Sequence, residues 1–203
     1  MRTVNPEQHA RKRAEILAAA AREFAVNGVD GTSTASICRR ARIGSGTLFH
    51  YFRTKQAIFH ALFADDLAGN AAACEAALAA ERAQDGIVAL VNHLIGDLAD
   101  PLVPGLTAAA LLQSQRDAKF AALLAADEQR TLTTLTALLQ RTTREGAALA
   151  FEPPRVARWI VTMIDATFLA AVEDDFAPAA HAQELHRILA WLTGSARGTE
   201  PPA

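Results

Sequence analysis

The stretch from residue 41 to residue 59, ARIGSGTLFHYFRTKQAIF, concentrates residue types that suit contact with phosphate groups. Gly44 and Gly46 flank a serine directly before a short segment in which Leu48 and Phe52, four residues apart, share one helical face. Glycines carry no side chain, so they leave the amino end of this helix open. Its backbone N–H groups and its positive end can then approach a phosphate.

A second short helix precedes this one and completes a recognisable unit. Thr32 and Ser33 mark its start, with Ser33 as the capping residue, and Ile37 points inward. Two short helices joined by a tight turn, each with one apolar face, form a helix-turn-helix. The second helix of such a unit enters the DNA major groove with its amino-terminal residues nearest the bases. Thr47, His50 and Tyr51 are expected to point away from the apolar face and towards such a partner.

Charge divides unevenly along the chain. The net charge is −2, but residues 1–60 contain ten Lys and Arg against four acids, whereas residues 61–203 contain ten against eighteen. This asymmetry favours a basic nucleic-acid-binding head on an acidic body. The alternative is chance clustering of charge on a solvated face.

The rest of the chain is predicted to be helical throughout. It is rich in alanine, shows no strand-like alternation, and is punctuated by Pro and Gly. The expected fold class is all-α. We assign residues 1–53 to a helix-turn-helix DNA-binding domain with a three-helix head, residues 54–194 to a helical effector-binding and dimerisation domain, and residues 195–203 to a disordered tail.

Residues 32–58, TSTASICRRARIGSGTLFHYFRTKQAI, resemble the helix-turn-helix of TetR-family repressors. The matching elements are the Thr/Ser pair, Ile37, Ala41, Ile43, the run GTLFHYF and Lys55. Residues 144–166 resemble, more weakly, the approach to that family's penultimate helix. The resemblance implies about nine helices over nearly 200 residues, of which the carboxyl-terminal ones bind a small effector and dimerise.

The resemblance also implies a set of DNA-binding residues. It implies that Ser33 caps its helix and touches phosphate, and that Lys55 pairs with phosphate as a point charge. The full predicted set is Ser33, Arg42, Ser45, Gly46, Thr47, Phe49, His50, Tyr51 and Lys55.

Three positions depart from the family pattern. Arg42 stands where a turn glycine is usual, so either a left-handed backbone costs about 1 kcal/mol or the turn differs. Gly44 replaces a small hydroxyl residue and loses a side-chain cap. Phe49 replaces a frequent tyrosine, and packing is the alternative to a DNA contact for this ring.

The last two predicted helices are candidates for a dimer interface. Residues 156–172 are apolar nearly all round, and the final helix carries an apolar stripe of Leu185, Ile188, Leu189 and Leu192. Together with their copies they can form a four-helix seam; alternatively both helices fill a monomer core. A homodimer would read a palindromic operator in double-stranded DNA.

The leading functional prediction is therefore a ligand-responsive transcriptional regulator of the repressor type.

 The effector-binding candidates are Gln113, Trp159, Met163 and Thr167, which suit a small, largely apolar effector with few polar anchors. Asp165 pairs a cationic ligand or bonds internally. Two alternatives stay open: a regulator of the same fold without an effector, and a helical protein-interaction module.

The sequence predicts no enzyme, no cofactor and no metal site. His181 and His186 are five residues apart and fall on different helix faces, and no phosphate loop, dinucleotide fingerprint or nucleophile motif occurs. Cys38 and Cys74 are too few for a disulfide framework. The longest uncharged stretch, residues 101–115, contains two prolines, so we expect no membrane partner and a cytoplasmic protein.

Overall fold

The structure is a computed structural model of the chain, and it describes residues 6–173 and 175–195. The described residues form nine α-helices and no strand, as the sequence predicted. The helices are α1 (Pro6–Gly31), α2 (Thr34–Ala41), α3 (Ser45–Tyr51), α4 (Lys55–Leu78), α5 (Ala83–Leu94), α6 (Val103–Ser114), α7 (Ala118–Arg144), α8 (Pro153–Ala170) and α9 (Pro178–Leu192).

The helix bounds follow local signals in the sequence. Gly28 has φ 65° and ψ −178°, so regular helical geometry in α1 is interrupted there. Asp117 caps the start of α7, because its Oδ1 accepts hydrogen bonds from the Lys119 and Phe120 N–H groups at 3.0 and 3.1 Å.

The described residues pack as two compact units. The first unit contains the described residues up to Asp66 together with Leu102–Phe120, and therefore holds α1, α2, α3 and α6. Its core combines aliphatic and aromatic side chains: Ile16, Phe24, Ile37, Leu48, Ile58, Phe59 and Phe120 are fully buried. The rings of Phe24 and Phe120 lie 5.2 and 5.1 Å from that of Phe59.

Helix α6 approaches α1 very closely. A Cβ atom built on Gly105 would lie 2.1 Å from the Ala25 carbonyl oxygen, so only glycine permits this backbone contact. The packing units therefore differ from the predicted division at residue 53, which places α6 in the effector-binding domain. That division concerns function and stays a prediction; most of the predicted disordered tail lies outside the described residues.

The second unit contains Leu67–Pro101 and the described residues from Ala121 onward. Its core is formed by α5, α7, α8 and α9, together with Cys74 and Ala77 from the end of α4. Leu185, Leu189 and Leu192 of α9 are buried in this core, and Val156, Ile160 and Ile164 of α8 join them. The apolar stripe of α9, which the sequence analysis considered for a dimer interface, is thus mainly buried inside its own chain. Burial there removes as much apolar area from water as burial against a second copy would.

Candidate nucleic-acid interface

Helix α2 begins at the predicted cap. The Ser33 hydroxyl accepts a hydrogen bond from the Ser36 N–H at 3.0 Å, and Ser36 Oγ accepts one from the Ser33 N–H at 3.3 Å. This reciprocal pair is a capping box, which satisfies two backbone donors at the helix start. The capping role of Ser33 is confirmed. Its side chain is exposed, and its contact with phosphate stays a prediction.

The turn between α2 and α3 passes through Arg42 in the left-handed region, with φ 53° and ψ 47°. Its N–H donates to the carbonyls of Arg39 and Cys38, and the Ile43 N–H also donates to Cys38 at 3.0 Å. The turn therefore keeps the geometry that glycine usually provides, and an arginine pays a backbone cost of about 1–2 kcal/mol for it. The guanidinium side chain is exposed.

Helix α3 presents one face inward and another outward. Leu48 is fully buried and Phe52, directly after the helix, is 6% exposed. Phe49 is 50% exposed, and Tyr51 is half-buried. The remaining predicted contact residues of this helix are exposed: Ser45, Gly46, Thr47 and His50. The outward direction predicted for Thr47 and His50 is therefore confirmed, while their contacts with DNA stay predictions.

The amino end of α3 is open, as its glycines predicted. Gly44 is the N-cap, with an extended backbone and no side-chain cap bond. A Cβ atom built on Gly44 or on Gly46 would meet nothing within 4 Å. The protein interior therefore places no demand for glycine at either position. The space in front of this helix end is available to a partner that comes close to the backbone.

Lys55 has an intramolecular role that the sequence did not indicate. Its Nζ donates to the Thr32 carbonyl at 2.7 Å and lies 3.4 Å from the Asp30 carbonyl. The first residue of α4 thereby holds the chain between α1 and α2. The predicted phosphate contact stays a prediction. The missing signal is physical: the two carbonyls are more than twenty residues away in sequence.

A partly buried ion pair joins α1 to α2. Arg40 Nε lies 2.5 Å from Glu23 Oε1, and the Glu23 side chain is 10% exposed. The hydrogen bond from Arg40 is the largest cause that lowers the pKa of Glu23, followed by one from Ser36. Thr32 Oγ1 donates to the Glu23 and Gly28 carbonyls at 3.0 and 2.7 Å. These contacts fix the position of α2, the first helix of the helix-turn-helix, against α1.

Sequence reasoning also missed His9. Its ring centroid lies 4.5 Å from that of Tyr51 and 6.2 Å from that of His50. The three rings come together although His9 lies more than forty positions before His50 and Tyr51 in the sequence. A lone histidine near the start of a polar helix carried no signal for this contact.

The predicted effector-binding residues fall in both units. Gln113 lies in the first unit, where its Nε2 is 3.4 Å from Asp117 Oδ2. Trp159, Met163 and Thr167 lie along α8 in the second unit. Trp159 is 45% exposed, Met163 is half-buried against the core, and the Thr167 hydroxyl donates to the Met163 carbonyl at 2.8 Å. Their role in ligand binding stays a prediction.

Asp165 lies on the outer side of α8. Desolvation raises the pKa of its carboxyl group, and the negative charge of Glu128 raises it further. Glu128 itself pairs with Arg158 at 2.9 Å. The neighbourhood of Asp165 thus contains both signs of charge.

A cleft of about 430 Å³ runs between α7 and α8 within the second unit. It is lined by Gln129, Leu132, Thr133, Thr136, Ala137, Gln140, Pro154 and Arg158. None of the four predicted effector-binding residues lines this cleft. Its walls are amide, hydroxyl and apolar side chains together with the guanidinium of Arg158.

Within residues 6–173 and 175–195, no three His, Cys, Asp or Glu side chains are placed to share a metal ion. Cys38 and Cys74 are buried thiols without a disulfide bond. No helix of this described part is long and apolar enough to span a membrane.

Residues 16–62 match the family model of bacterial regulatory proteins of the tetR family. The matched segment contains α2, the left-handed turn and α3, which are the elements described above. No curated protein sequence matches the chain significantly.

Solved structures of similar fold cover nearly the whole chain. A TetR-family transcriptional regulator from Streptomyces coelicolor is 19% identical with a TM-score of 0.69, and the match covers 91% of this chain and 97% of that one. A TetR transcription regulator from Haloarcula marismortui is 15% identical with a TM-score of 0.75, covering 92% and 98%.

The fatty acid degradation regulator FadR from Bacillus halodurans is 19% identical with a TM-score of 0.73, covering 92% of this chain and 96% of that one. At these identities the likeness concerns the fold. Residues 16–62, which contain α2, the turn and α3, match the family model of bacterial regulatory proteins of the tetR family, and the chain as a whole shares the fold of solved tetR-family regulators.

Proposed function

We propose that this protein is a cytoplasmic, ligand-responsive repressor that binds a palindromic DNA operator as a homodimer and is released by a small, largely apolar effector. The observation that carries the proposal is the outer face of α3. Thr47 and His50 are exposed over a buried Leu48, and the glycines at the amino end of the helix have open space in front of them. A short helix of this kind suits insertion into the major groove.

Exposed cations surround this helix and suit contact with the phosphate backbone. Arg39 and Arg42 are exposed beside the turn, and Arg53 is exposed directly after α3. Phosphate contacts of this kind position a protein on DNA without reading sequence, whereas Thr47 and His50 have the polar atoms that can read base edges.

The homodimer is supported by the exposed face of α8. Trp159, Thr162, Ala166 and Leu169 are all exposed and follow one another at spacings of three, four and three residues. Residues at that spacing form the contact face of a helix that packs along another helix. The small residues Thr162 and Ala166 at the centre of this face permit a close approach of the two helices. Because the apolar stripe of α9 is buried within its own chain, α8 supplies most of the apolar surface in the proposed interface.

A homodimer gives the effector a way to act. Two DNA-binding domains related by a two-fold axis fit a palindromic site at one spacing. An effector that binds more tightly to a dimer conformation with a different spacing between the two DNA-binding domains shifts the population away from the conformation that binds DNA. A regulator of fatty acid degradation has the same fold, so fatty acids are a sensible first class in a ligand panel.

The DNA-binding part is tested by selecting duplexes from a random library with the full-length protein. We expect a palindromic duplex to be enriched, with affinity that falls steeply as salt rises between about 50 and 200 mM. Thr47→Ala and His50→Ala should change the enriched sequence while keeping the salt dependence. A parent protein without salt-sensitive duplex binding would instead indicate the helical interaction module.

The effector is tested by thermal unfolding of the parent protein with the ligand panel. A compound that binds the folded state at a hundred times its Kd stabilises it by about 2.7 kcal/mol, which raises the melting temperature. The same compound should release the enriched duplex. Duplex binding that persists with every stabilising compound would favour a regulator without a small-molecule effector.

A further inference from the structure

We propose that His9, in the first turns of α1, is a positioning residue that holds the recognition helix α3 through Tyr51 and thereby sets how sharply the protein discriminates between DNA sequences. This inference rests on the proposed function, because it concerns the same DNA-binding surface.

Helix α3 depends on contacts with its neighbours for its orientation. It has seven residues, which is too short for a stable helix in water, and its N-cap Gly44 provides no side-chain bond. Leu48 and Phe52 anchor its inner face. Its outer side at the carboxyl end needs a further contact to fix the tilt of the helix.

His9 provides that contact. The His9 and Tyr51 ring centroids lie 4.5 Å apart with 30° between the ring planes, and His50 meets Tyr51 edge-on at 5.4 Å. His9 is 6.2 Å from His50, also edge-on. Each ring therefore touches the other two, and the cluster links the start of α1 to the last turn of α3.

A second contact one turn along α1 acts on the same helix end. The Arg13 guanidinium lies 5.7 Å from the centre of the Phe52 ring, and its Nη1 is 3.6 Å from Asp65 Oδ2. His9 and Arg13 are four residues apart and share one face of α1. This face of α1 thus reaches two consecutive residues at the end of the recognition helix.

The expected consequence is selective. Hydrogen bonds to base edges depend on the position of α3, whereas attraction to phosphates depends mainly on charge. Loss of the His9 ring should therefore weaken binding to the preferred sequence more than binding to other DNA. A side chain that only stabilised the fold would not change this ratio in the folded protein.

The test compares full-length variants on two duplexes: the one enriched by the parent protein and a scrambled duplex of equal length and composition. For His9→Ala we expect affinity for the enriched duplex to fall about threefold to tenfold, with the scrambled duplex within about twofold of the parent. His9→Phe keeps a ring against Tyr51 and should restore most of the preference. Gln8→Ala, an exposed change in the same turn, is the matched control and should match the parent.

Urea unfolding of each variant ensures that only folded protein is compared. Equal discrimination by His9→Ala and the parent would overturn the proposal. If His9→Ala and His9→Phe both lost the same factor of affinity on the two duplexes, with a smaller salt dependence of binding, the proposal would be overturned in favour of a direct phosphate contact by His9. A parent protein that enriches no duplex would instead overturn the proposed function, and with it this inference.

Discussion

Replacing Gly46 with alanine separates the needs of the fold from the needs of DNA binding. Gly46 is the second residue of α3, and a Cβ atom there would meet nothing within 4 Å. Alanine is the better helix former by about 0.5–1 kcal/mol. We therefore expect the Gly46→Ala protein to be as stable as the parent or slightly more stable, with a melting temperature raised by about 1–4 °C.

The same methyl group should weaken DNA binding. It projects from the helix end that, in the proposed function, comes closest to the DNA, and forcing an extra methyl group into a packed contact costs about 1–3 kcal/mol. That cost corresponds to an affinity reduced by about five- to 150-fold. Fluorescence anisotropy with the enriched duplex measures the affinity, and thermal unfolding measures the stability of the same sample.

Gly69→Ala is the matched control. Gly69 lies inside α4, where a Cβ atom would make an ordinary contact of 3.6 Å with the His93 ring. This change should leave DNA affinity within about twofold of the parent. Unchanged DNA affinity in Gly46→Ala would refute the assignment of this helix end to the DNA surface. A clear loss of stability in Gly46→Ala would refute the reasoning about open space.

Four further predictions address other parts of the chain. Gly105→Ala should lower the free energy of unfolding by about 3 kcal/mol in urea titrations, because its methyl group meets an α1 carbonyl at 2.1 Å; unchanged stability would contradict that packing. Glu23 has a lowered pKa in the folded state, so its ion pair with Arg40 stabilises the fold fully above the unfolded pKa near 4.5, and this stabilisation is lost as the pH falls through the lower folded pKa. Glu23→Gln should therefore be less stable than the parent at pH 7 and equally stable in acid; a difference in unfolding free energy that does not change with pH would contradict this. Leu169→Glu should sediment as a monomer, because it places a charge in the proposed α8 interface, while Ala180→Glu, an exposed change on α9, should stay dimeric. The same oligomeric state in both variants would argue against a dimer interface on α8. Lys55→Ala should lose about 1–2 kcal/mol of stability with its carbonyl bonds and bind all duplexes more weakly with a smaller salt slope, whereas binding equal to the parent would count against a phosphate contact.

Local signals in the sequence were sufficient for the helix-turn-helix. Ser33, with a serine three residues later, carries its capping interaction within one turn of chain, and the apolar spacing of Leu48 and Phe52 identifies the inner face of α3. Arg42 at a turn position left two conformations open, and the structure shows the left-handed one. These features depend on neighbours within about four residues, so the amino-acid order alone specifies them.

Long-range packing decided the rest. The sequence showed that α9 has an apolar stripe, but it could not show whether the stripe meets the chain's own core or a second copy, because both bury the same area. The carbonyl partners of Lys55, the contact of His9 with Tyr51 and the approach of Gly105 to α1 each join residues far apart in sequence. Periodicity reports only which face of a helix is apolar, and the identity of the surface that covers that face is a property of the tertiary structure.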